Sequence, residues 1–120
     1  MSRDDAIVLD MLKAACRVSE TVQDRTFEEF RQDWRFQSIV QYQMMILGEA
    51  TKRLSKEFRR RHAEIDWKAI AGHRDVLIHQ YDDVDLREVW KIATKDLPPL
   101  IQFLGSIAPK QDDAPTAQPL

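Results

Sequence analysis

Glycine is scarce: Gly48, Gly72 and Gly105 are the only three in 120 residues. Leu, Ile, Ala, Glu, Lys and Arg dominate instead, so helix is the favoured local state almost throughout. No segment alternates with the period of a strand, and there is no internal repeat. A single cysteine, Cys16, excludes an internal disulfide and fits a reducing cytoplasm. No apolar run approaches the length of a membrane span, and the opening "MSRDDAIVLD" lacks a signal-peptide hydrophobic core. A soluble, cytoplasmic protein is the expectation. Neither sign of charge is in excess, since 18 basic residues face 20 acidic ones, a net charge of -2. Bulk charge therefore points to no partner, and a nucleic-acid site would have to be a local basic patch. The histidines show no HxxxH spacing and no carboxylate triad, so no metal site is expected, and no cofactor.

What is present reads as helices. Val8, Met11, Leu12, Ala15, Val18 and Val22 recur at helical spacing and predict a first helix from about Asp4 to Asp24. Thr26 with Glu29 three residues on makes a capping box for a second, short helix. A long helix is expected from about Trp34 to Arg61, with Ile39, Gln43, Ile46, Leu47, Ala50, Leu54 and Phe58 inside. Gly48 interrupts it at a cost of about 1 kcal/mol against alanine, and close approach of another helix would account for that. Asp66 can cap the next helix, and Asp83 or Asp85 the last. The stripe of that last helix, Leu86 to Leu104, runs through Pro98-Pro99, where a kink is expected. Residues 1–107 thus predict an all-α fold: an up-and-down helical bundle of four main helices plus a short extra one. The proline-rich, polar end, residues 108–120, reads as a disordered tail.

Polar residues surround the apolar segment Val76-Leu77-Ile78 in "HRDVLIHQYDD". On an ideal helix Trp67, Ile70, Ala71, Arg74, Leu77 and Ile78 share about one third of the circumference. Arg74 therefore sits within the apolar stripe and must find a partner or face a cleft. His79 lies about 140° around and about 7.5 Å along the axis, so the two need not meet in one chain. A two-fold axis would let them meet across a subunit interface. Asp75, four residues before His79, is placed to orient the imidazole. These groups suit metal-independent RNA cleavage. Histidine takes the 2′-OH proton, the freed oxygen attacks phosphorus, and arginine stabilises the charge on the phosphoryl oxygens. The competing reading makes His79 a C-terminal cap favoured by the helix dipole and Tyr81 an aromatic at a helix end.

Arg74, four residues, His79, one residue, Tyr81 resembles the R-x4-H-x-Y signature of HepT-like toxins of the HEPN superfamily. "GEATKRLS", "IDWKAIAGHR", "VDLREVW" and "DLPPL" resemble that family's pattern in the same order. The likeness extends from about Asp4 to Ile107. It implies a HEPN-like homodimer with the two motifs facing one cleft, acting as a metal-independent RNase. It also implies a minimal nucleotidyltransferase of the MntA type as antitoxin, transferring AMP to Tyr81. An AMP group beside His79 would repel an RNA phosphate. His73 and Asp75 stand where the family often has methionine and asparagine.

Six basic side chains lie between Lys52 and His62. Lys52, Arg53, Arg59 and Arg60 are candidates for an RNA phosphate track, against a solvated face at a helix C-terminus. Glu49 can pair with Arg74 or stay exposed. Two further readings remain open: a non-catalytic module that binds a nucleotidyltransferase, and a DNA-binding helix-turn-helix, which the balanced charge argues against.

Overall fold

A computed structural model describes residues 1–79 and 84–109. The side chains of Ile78 and His79, the alternative cap Asp83, Tyr81 and the tail from residue 110 lie outside the described residues.

Helix α1, Arg3–Val22, opens on a capping box: the Asp5 N–H donates to Ser2 Oγ (3.0 Å) and the Ser2 N–H to the Asp5 carboxylate (3.2 Å). Helix α2, Phe27–Gln32, opens on the expected box of Thr26 and Glu29. The long helix expected over residues 34–61 is broken into α3, Trp34–Lys52, and α4, Lys56–Arg61. Ser55 breaks it. Its N–H and Oγ donate to the two Asp4 carboxylate oxygens (2.9 and 2.7 Å), while Oγ accepts the Phe58 N–H. These bonds draw Ser55 out of helical register and make it the cap of α4.

The inner stripe of α3 also differs from expectation. Phe36, Val40, Met44, Leu47, Ala50 and Thr51 are buried, whereas Ile39 is 52% exposed. Both α1 and α5 pack on α3, so its buried face centres between them. Helix α5, Trp67–His79, begins at Asp66, whose carboxylate accepts the Ala69 N–H. Asp85 caps α6, Leu86–Lys91. The kink expected at Pro98-Pro99 is a π turn over Ile92–Asp96, followed by α7, Leu97–Ile107. The Leu97 N–H reaches back five residues to the Ile92 carbonyl. The wider turn places both prolines in the first turn of α7, where their missing donors are not needed.

The fold is an all-α bundle in which α1, α3, α5 and α7 are the main helices. Three short helices accompany them among the described residues, where one was expected. Helix α7 packs on α1, α1 on α3, and α3 on α5, while α2 ties α3 to α6. Two aromatic clusters hold the ends: Phe27, Phe30, Phe36 and Trp90 at one, Phe58, His62, Trp67 and Phe103 at the other. Among the described residues no helix is long and apolar enough to cross a membrane.

Gly48 serves the close approach expected of it. A methyl group there would collide with the Cβ of Arg74 and lie 3.2 Å from the Ile70 carbonyl oxygen. Gly48→Ala should therefore lower stability by about 2 kcal/mol in urea denaturation, despite alanine's better helix propensity. An unchanged or raised midpoint would rule out the close helix contact.

Candidate functional site

The groove where α3 crosses α5 holds Arg74. Its Nε pairs with Glu49 Oε1 at 2.9 Å, and its Nη1 donates to Asp75 Oδ1, also at 2.9 Å. Both things expected of an arginine on an apolar stripe occur together. It has found partners, and it borders an opening of about 330 Å³ edged by Met45, Ile46, Glu49 and Arg53. The side chain is only 26% exposed, so its carbon stem covers core while the guanidinium stays in reach of solvent. A planar cation fixed on two sides is prepared for a tetrahedral oxyanion, because little rotational freedom remains to be lost on binding.

Asp75 takes the Arg74 half of the pairing open to it and adds a lysine. Its Oδ1 accepts from Arg74 and from Lys52 Nζ at 3.1 Å, a bridge from α5 back to α3. Those two bonds, Arg74 first, hold its carboxyl below the usual carboxylate range. The structure thus joins Asp75 to Arg74, and its expected partner His79 has no described side chain. Glu49, whose role the sequence left open, is the other anchor of Arg74. The adjacency of Gly48 and Glu49 was the available signal, since a helix that approaches at a glycine presents its next residue to the partner's flank.

The basic candidates separate. Arg53 borders the Arg74 groove and pairs with Asp10 at 3.5 Å. Lys52, Arg59 and Arg60 instead line a shallow groove with Lys68 on the other edge of α5. Arg59 is partly consumed by structure, since its Nη2 donates to the Leu54 carbonyl at 3.0 Å. Lys52, Arg60 and Lys68 are exposed. Beside the Arg74 groove, α3 carries Ile39 and Tyr42 outward, 52% and 59% exposed, one helical face with Ile46.

His73 looked incidental in sequence. It lines a cavity of about 630 Å³ between α5 and the arm formed by α6, the π turn and α7. Its Nε2 is buried and has no partner among the described residues. Burial pushes the imidazole below its ordinary value of about 6.5, against a weaker opposing pull from Glu88. Among the described residues no three His, Cys, Asp or Glu side chains converge as a metal-binding group.

Comparison with known proteins places residues 11–107 within the family model described as "Ribonuclease HepT-like". A candidate RNase of Caldanaerobacter subterraneus subsp. tengcongensis is 39% identical over 92 residues, 77% of this chain and 82% of the relative. A candidate ribonuclease HepT of Thermococcus cleftensis is 38% identical over 91 residues, 76% of this chain and 83% of the relative. A candidate RNase of Methanocaldococcus jannaschii is 33% identical over 100 residues, 82% of this chain and 92% of the relative. No solved structure matches the chain.

The depressed imidazole has a consequence for stability. The unfolded chain binds a proton at His73 more readily than the folded one, so stability is full above about pH 6.5 and falls as pH drops through the folded value. Of the carboxylates around the cavity, Glu88 moderates this without reversing it. Chemical denaturation of the wild type and His73→Phe from about pH 7 to about pH 5 should show a steeper loss in the wild type. Parallel curves would mean that His73 titrates in solvent.

Proposed function

The chain belongs to the HepT-like ribonuclease family, and on that premise we propose that it is a homodimeric, metal-independent endoribonuclease acting as a toxin. The observation that carries the reading is Arg74, a guanidinium clamped by Glu49 and Asp75 at an open groove, five residues before His79. On RNA, the His79 imidazole of one protomer removes the 2′-OH proton. The 2′-oxygen attacks the adjacent phosphorus, and the 5′-oxygen leaves with a proton from the second protomer's His79. The products are a 2′,3′-cyclic phosphate and a free 5′-hydroxyl. Arg74 exchanges a carboxylate for a non-bridging phosphate oxygen and offsets the charge that builds there. Asp75 keeps Arg74 oriented and has the spacing to orient His79.

The dimer is part of this reading. Ile39, Tyr42 and Ile46 form an apolar row on α3 that flanks the Arg74 groove. Isologous packing of that row buries it and sets two grooves side by side. RNA then follows the exposed cations Lys52 and Arg60, with Arg53 and Arg59 as secondary contacts to the phosphates. Control comes from a cognate minimal nucleotidyltransferase of the MntA type, which adenylylates Tyr81 and so places bulk and negative charge next to His79. The alternative, a non-catalytic module that binds such a partner, shares the surface and lacks the cleavage.

RNA incubated with the protein in excess chelator should yield cyclic-phosphate ends. Arg74→Ala should lower the rate by about 10²–10³, and His79→Ala should abolish cleavage. Cleavage by His79→Ala at the wild-type rate would sink the assignment. No cleavage by the wild type, with partner binding retained in both variants, would favour the non-catalytic module. Coexpression with the nucleotidyltransferase should add the mass of one AMP per chain, an adduct absent from Tyr81→Phe. Ile39→Asp should give a folded, inactive monomer in sedimentation, and an active one would remove the dimer requirement.

A further inference from the structure

The flank of α5 that carries His73 points away from the Arg74 groove. His73 and Arg74 are successive residues, about 100° apart on the helix. Arg74 faces α3, while His73, Ala69 and Val76 face the π-turn arm across the cavity. The walls are apolar: Met44 and Leu47 from α3, Ile70 from α5, Ile92, Leu97 and Leu100 from the arm. Among the residues lining it there is no lysine and no arginine, whereas four carboxylates do line it. Asp66 is engaged by the Ala69 N–H and Asp96 by Lys91 Nζ at 3.4 Å. Glu64 and Glu88 have no ion-pair partner among the described residues. The cavity's volume, about 630 Å³, lies within the range of small-molecule sites.

Three features of this space agree on one kind of occupant. The apolar walls ask for a hydrocarbon chain or ring. The carboxylates repel anions and attract a cation. The buried Nε2 of His73 has no partner among the described residues, and as a neutral imidazole nitrogen it can accept a hydrogen bond from an ammonium N–H. We propose that the cavity is a binding site for a small amphipathic amine, its apolar part between α5 and the π-turn arm and its ammonium beside His73 and Glu88. The site is separate from the nuclease groove and does not depend on that reading.

A matched set of probes tests this with the full chain: 4-phenylbutylamine, 4-phenylbutanol and 4-phenylbutyrate, titrated against methyl-labelled protein by NMR. The amine should shift the Ile70, Ile92 and Leu97 methyl signals saturably and bind about tenfold tighter than the carboxylate. The double variant Glu64→Gln/Glu88→Gln changes only exposed side chains and should bring the amine to the level of the alcohol. Ala69→Trp, placed at an exposed position of the lining, should close the site, with its thermal melt confirming that it folds. Equal binding of amine and carboxylate, an unchanged affinity in the double glutamine variant, or shifts that survive Ala69→Trp would each overturn the proposal.

Discussion

The contact of two helix backbones at Gly48 is the constraint on which the site depends. Without a side chain at that point, α5 can lie close enough for the Cβ of Arg74 to occupy the space a methyl group would need. The guanidinium then has nowhere to extend except along α3, where Glu49 is the next residue. A longer separation would leave Arg74 able to swing into solvent, and the clamp between Glu49 and Asp75 would become an ordinary surface pair of small net value. The glycine costs helix propensity in α3 and is retained by geometry in α5.

Charge is distributed around α5 in the same spirit. The Asp75 side, with Lys52 and a groove where Arg59, Arg60 and Lys68 outnumber Glu64 and Asp66 at its border with the cavity, suits a polyanion. The His73 side, with Glu64 and Glu88, repels one. A net charge of -2 conceals both, because the average over the chain cancels what the helix separates. The neutral imidazole belongs to this division. Its protonation would put a cation in an apolar wall, and burial resists that more than Glu88 favours it.

Much of the fold was legible because its signals are local. The Thr26–Glu29 box, the caps at Asp66 and Asp85, and the apolar spacing of α1 act within a turn or two of chain. The break at Ser55 was not legible. Its cause is Asp4, which sits 51 residues earlier and draws Ser55 out of the helix. The inward face of α3 was misjudged for a related reason: Ile39 is apolar enough for a core, but α1 and α5 bury the face through Phe36, Val40 and Met44. At Pro98-Pro99 the missing donors were plain, but the π turn that accommodates them lies before the prolines, over Ile92–Asp96.

By itself the sequence determined the helical class, most caps, the oddity of an arginine on an apolar stripe, and the ordered motifs by which the family was recognised. All of these are statements about neighbours along the chain, or about a pattern matched in order. The tertiary structure alone decided that Arg74 is held by Glu49 from another helix, that Asp75 bridges to Lys52, and that the four basic candidates divide between two grooves. It also turned His73 from an incidental residue into the wall of a cavity. The physical reason is that partner choice and burial are set by distance in space, and two helices crossing at a glycine bring together side chains that no spacing rule connects.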